Sequence, residues 1–92
     1  MDDRPDYAAI FQERIIELCR ARTGTDSPAE LAAELRLKER TIARYMAGDS
    51  QPRLPEAVKL AERAGVSLDW LAGLSDDPFG RLVIVPEPKE KP

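Results

Sequence analysis

With 92 residues the chain has room for one small domain, and 42% hydrophobic and 34% charged residues at a net charge of −3 fit a soluble helical fold. The absence of histidine and the presence of one cysteine, Cys19, exclude the usual zinc sites, Ser–His or Cys–His catalysis and an internal disulfide framework. No metal, cofactor or catalytic residue is therefore expected, and an enzyme is not expected. No apolar run approaches the roughly 18 residues of a membrane span. The start, MDDRPD, is acidic and unlike a signal peptide, and the lone cysteine suits a reducing cytoplasm.

Helix one is predicted from about Asp6 to Arg22. Phe11, Ile15, Leu18 and Arg22 fall on one stripe with Ile10 and Cys19 beside it, and Thr23-Gly24 stops it. Cys19 reads as a small core or boundary residue, since no base is present to activate it. Helix two is predicted over about 28–36 and opens with Ser27 as N-cap, Pro28 at the first helical position and Glu30 three residues after the cap. Its apolar face is Leu31, Ala32 and Leu35. Helix three, about 39–47, carries Ile42 and Met46 inward with Arg40 and Arg44 on another face, and Gly48-Asp49 ends it. Pro52 fixes a loop over 50–54. Helix four runs from Pro55 through Val58 and Leu60 to Ala64, with Gly65 as its stop. Ser67 caps a short fifth helix, Leu68 to about Leu74, containing Trp70 and Leu71.

The composition then shifts, which divides the chain into a helical domain over 1–75 and a C-terminal arm over 76–92. Asp76-Asp77-Pro78 breaks the last helix. Arg81-Leu82-Val83-Ile84-Val85 is the one β-branched run, ended by Pro86 and followed by a polar tail. No other segment reads as a strand, so its partner is expected to be a second copy of the chain, paired antiparallel across a two-fold axis. An extended arm lying on the helices, or a mobile tail, is the other reading.

Helices two and three stand almost back to back, with two or three residues between them. A tight pair with a basic outer face on its second member is suited to laying that helix in the major groove of DNA. The order and spacing of FQERIIELCRAR, Leu31-Ala32, Leu35, Leu37, Thr41-Ile42, Tyr45, Gly48-Asp49-Ser50-Gln51-Pro52 and LPEAVKLAERAGVSLDWL resemble the Cro/phage-repressor type of helix-turn-helix domain, the XRE family. The resemblance covers about two-thirds of the chain, from Phe11 to Leu71. It implies an all-α, five-helix lambda-repressor-like fold that binds double-stranded DNA. It gives Ala32 a role at the closest crossing of helices two and three, with Leu37 and Ile42 plugging the junction. Two positions depart from the family. Arg36 stands in the turn where glycine is usual, and Lys38 replaces the usual Ser or Thr cap of the recognition helix.

The acidic net charge hides a local patch. Between Arg36 and Arg53, five basic residues (Arg36, Lys38, Arg40, Arg44 and Arg53) face Glu39 and Asp49, a local charge of +3 against −6 for the remainder. Under the resemblance, Glu39, Arg40, Ala43 and Arg44 match the positions that face base edges. Lys38, Gln51 and Arg53 are the phosphate contacts, with backbone N–H groups of Ser27 and Ala29 at the start of helix two. A homodimer is expected, through Leu74 and the Leu82, Val83, Ile84 and Val85 strand, with recognition helices about 34 Å apart on a roughly palindromic operator.

The leading expectation is a small prokaryotic or phage repressor without an effector domain. Two alternatives stand beside it. An antitoxin would regulate its own promoter and use residues 79–92 to hold a toxin partner. A protein-interaction module that has lost DNA binding would fit the acidic balance and the two departures.

Overall fold

The computed structural model describes residues 6–79. Among them the chain forms five helices and no strand: α1 (Tyr7–Thr23), α2 (Pro28–Leu35), α3 (Glu39–Ala47), α4 (Leu54–Ala64) and α5 (Leu68–Ala72). The all-α, five-helix expectation is borne out. The predicted strand, with Leu82, Val83, Ile84 and Val85, lies outside the described residues.

Local chemistry sets most helix boundaries. Asp6 is the N-cap of α1 rather than its first residue, and its carboxylate accepts from the Ala9 amide at 3.1 Å. Ser27 Oγ accepts from Glu30 N at 3.3 Å, and Ser67 Oγ from Trp70 N at 3.3 Å. Helices α3 and α4 follow Lys38 and Arg53, which carry no acceptor and make no side-chain cap bond. Four of the five helices end in the same paired closure, which decides how their last carbonyls are satisfied. In α2, Leu37 N donates to Ala32 O at 2.9 Å and Arg36 N to Ala33 O at 3.3 Å. That closure needs one residue in the left-handed region. Glycine supplies it after α3, α4 and α5, whereas Arg36 (φ 60°, ψ 45°) supplies it after α2.

Helix five ends two residues earlier than its sequence pattern suggests. Gly73 (φ 92°) turns the chain there, and a Cβ on it would meet Ile10 Cγ2 at 3.0 Å. Leu74 therefore lies outside the helix and is 68% exposed. Helix four starts one residue early, at Leu54, and Val58 stands at the surface at 37% exposure.

Helix α1 runs through the middle, against α2, α3 and α5, while α4 closes the side formed by α5 and α2. Ile15, Leu31, Leu35, Ile42, Leu60 and Leu71 are fully buried, and no polar or charged residue is buried among the described residues. Burial of this apolar surface is the main stabilising term, because none of these short helices persists alone in water. Helices α2 and α3 form the most extensive pairing. Ala32, 3% exposed, sits in it with Leu35 and Ile42, as expected for a close crossing. Phe11 of α1 meets Tyr45 of α3 edge-on, with ring centroids 5.4 Å apart.

Long side chains tie the elements from outside. Gln12 Nε2 donates to Met46 O at 3.0 Å, joining α1 to the end of α3. Arg22 donates to Ala64 O at 2.8 Å and to Glu34 at 3.1 Å. Arg14 donates to Ser75 O at 3.2 Å and lies 5.0 Å from the centroid of the Trp70 ring. The segment after α5 folds back, so that Ser67 N donates to Pro78 O at 2.7 Å.

Two substitutions test this account of the α2–α3 junction. Arg36→Gly relieves the left-handed strain and is expected to stabilise the fold by about 1 kcal/mol. Ala32→Leu overfills the crossing and is expected to cost about 1–3 kcal/mol. Urea unfolding followed by circular dichroism reads both. A destabilised Arg36→Gly variant, or a neutral Ala32→Leu variant, would contradict it.

Candidate nucleic-acid interface

The helix pair leaves one side of α3 open. At about 100° per residue, Glu39, Arg40, Ala43, Arg44 and Ala47 share one side of the helix, opposite Ile42 and Tyr45. Burial follows the same division. Ile42 and Tyr45 are in the core, Glu39, Arg40, Arg44 and Ala47 are exposed, and Ala43 is half-buried between them. The packing of Ile42 against α2 and of Tyr45 against Phe11 therefore fixes which side faces outward. Tyr45 is held above the ordinary tyrosine range by burial first and then by the charge of Glu56, so its phenol stays neutral at physiological pH.

The arginines divide by role. Arg14, Arg20, Arg22 and Arg63 each donate to a carbonyl or carboxylate within the protein. Arg36, Arg40, Arg44 and Arg53 make no side-chain hydrogen bond or ion pair among the described residues, and all four are exposed. The untied four are the ones carried by the stretch from the turn to the start of α4. A guanidinium with no internal partner keeps its planar donor fork for an external acceptor, whether a guanine edge or a phosphate oxygen.

Several of the expected contact residues share a surface. Arg44, Gln51 and Arg53 line one groove with Thr41, Tyr45, Ser50, Pro52 and Glu56. Lys38 lines the adjoining recess between the turn and α4, with Arg36, Thr41, Lys59 and Arg63 among its other walls. Lys38 precedes α3 without capping it, which leaves the first-turn amides of α3 beside a cation that makes no ion pair among the described residues. Glu39 occupies that first turn, where a carboxylate suits the helix dipole.

Ser27 and Ala29 lie at the far end of α2 and line neither recess. The Ser27 N–H is already engaged, donating to Thr25 Oγ1 at 3.2 Å, so Glu30 does not close a reciprocal bond to it. The Ala29 N–H makes no hydrogen bond among the described residues. Leu74 is exposed beyond the end of α5.

Sequence reasoning assigned no role to Lys59, Arg63 or Ala47. Ala47 follows from helical spacing, four residues beyond Ala43. Lys59 and Arg63 reach the turn only because α4 packs beside α2, and one turn of separation on α4 is the sole local hint.

No helix among the described residues is long and apolar enough to cross a membrane. No solved structure matches the chain. A protein of Haemophilus influenzae named an uncharacterized HTH-type transcriptional regulator is 39% identical over 62 residues, 67% of this chain, and the chain spans about a quarter (25%) of that relative's length. A helix-turn-helix family model matches residues 13–71, from within α1 to the buried Leu71 of α5, and so includes the whole of α2, α3 and α4. With the helix pair, its short turn and its open basic face all inside that match, the chain belongs to the XRE-type helix-turn-helix family, a family of DNA-binding regulatory domains.

Proposed function

We propose that this chain is a sequence-specific DNA-binding transcription regulator that acts as a dimer on a roughly palindromic operator and represses. In this reading α3 lies in the major groove. Arg40 and Arg44 meet guanine edges, and Glu39 accepts from a cytosine amino group or orients an arginine. Ala43 gives apolar contact. Lys38, Gln51 and Arg53 hold phosphates, as does the Ala29 amide at the start of α2.

The division of the arginines carries the proposal. The four that have no internal partner among the described residues fall within one stretch of 18 residues, 36–53, in a chain whose net charge is −3. At physiological salt the Debye length is about 8 Å, so this patch acts on phosphates while acids elsewhere are screened. A single domain of this size makes few contacts, and pairing two of them on adjacent half-sites multiplies the binding energy. The exposed Leu74 and the Leu82–Val85 run are the apolar surfaces proposed for that pairing.

Selection from random duplex DNA at two salt concentrations, with the mass in solution measured alongside, tests the whole reading. An enriched palindrome, a steep salt slope and a dimeric mass on DNA are expected. Failure to enrich any site, with no salt dependence, would refute it and favour a protein partner, such as a toxin, for residues 79–92. On the selected site, Arg44→Ala is expected to cost about 1–3 kcal/mol and to relax preference at one base position. Arg53→Ala is expected to weaken all sequences alike and lower the salt slope by about one unit. An Arg44→Ala variant that keeps full affinity and full preference would remove Arg44 from the base readers.

A further inference from the structure

The joint between α2 and α3 has carbonyls that its own backbone leaves open. Leu37 N and Arg36 N close the Ala32 and Ala33 carbonyls, but no backbone amide among the described residues reaches those of Leu35 and Arg36. Arg63, on α4, serves both. Its Nη1 donates to Arg36 O at 2.6 Å and to Leu35 O at 3.4 Å. A cation there also opposes the negative end of α2. On the α3 side Lys38 makes no side-chain cap bond. Arg63 thus provides the side-chain hydrogen bond to the Arg36–Lys38 joint among the described residues, and it meets the strained residue itself.

We infer that Arg63 is a positioning residue for DNA recognition. By holding the Arg36 carbonyl it fixes the angle at which α3 leaves α2, and hence where Arg40 and Arg44 meet base edges. The inference rests on the DNA-binding reading above. Base readout tolerates about 0.5 Å of misplacement in the reading groups, whereas attraction to phosphates is far less demanding. Loosening the joint therefore degrades discrimination before it degrades general affinity.

The test uses the full chain with Arg63→Met and Arg63→Lys, well below their melting temperatures. Affinity for the selected operator and for a scrambled duplex is measured across a salt series. Arg63→Met is expected to weaken operator binding about tenfold, with scrambled binding and the salt slope unchanged. Arg63→Lys recovers part of the loss, because an ammonium still donates to the Arg36 carbonyl. If operator and scrambled affinities stay unchanged or fall together, the positioning role is overturned. A salt slope lowered by about one unit would overturn it differently, making Arg63 a phosphate contact.

Amide hydrogen exchange provides a readout without DNA. Arg63→Met is expected to speed exchange at Arg36 and Leu37 several-fold while α1 amides keep their protection. Unchanged exchange at those two amides overturns the hold on the turn. A parent chain that selects no DNA site refutes the regulator reading instead, and the exchange result still distinguishes the two failures.

Discussion

The direction of the open basic side of α3 depends on how α2 is made to stop. A helix that continued through Leu37 would carry its axis past the point where α3 must begin, and the basic side of α3 would have no defined direction. The stop is a single residue in the left-handed region, Arg36, with the Leu37 and Arg36 amides turned back onto α2. Glycine adopts that conformation freely, whereas an arginine there is strained. The strain is tolerated because the junction is determined from several directions. Ala32 lets the helices approach, Leu35 and Ile42 are wholly enclosed beside it, and Arg63 binds the far carbonyls.

Charge is distributed by the same economy of partners. Among the described residues four arginines serve as internal fasteners, each reaching carbonyls or carboxylates on another segment, and four make no such bond. The fasteners lie on α1 and α4, while the free ones run from the turn to the start of α4. An excess of acids over the rest of the surface then opposes adhesion to nucleic acid by any face but one. The acidic net charge is thus compatible with a DNA-directed face and helps make it single.

Much of the fold was legible because its punctuation is local. Ser27-Pro28 starts α2, Ser67 starts α5, and Gly24, Gly48 and Gly65 end their helices as the sequence implies. The exposed side of α3 was legible for the same reason, since helical spacing alone separates Arg40 and Arg44 from Ile42 and Met46, although Tyr45 is the more deeply buried and Met46 is half-buried. Gly73 carried a stop signal of the same kind, yet the apolar Leu74 beyond it suggested a longer helix. Other features needed the third dimension. No local pattern marks Arg63 as the partner of a residue 27 positions away. Arg14 reads as an ordinary charge on a helix, and Arg22 only as a member of its inner stripe; packing reveals that they fasten the middle and the end of α1 to the segments at Ser75 and Ala64.

Trp70 is the one tryptophan of the chain, 3% exposed in α5 and covered by the Arg14 guanidinium of α1. Its indole therefore sits at a single seam, where the last helix and the returning segment around Ser75 meet the first helix. Ultraviolet emission from this protein reads the closure of that seam. A change at the turn that leaves the emission untouched has stayed local, and one that moves it has travelled through the shared core to α5.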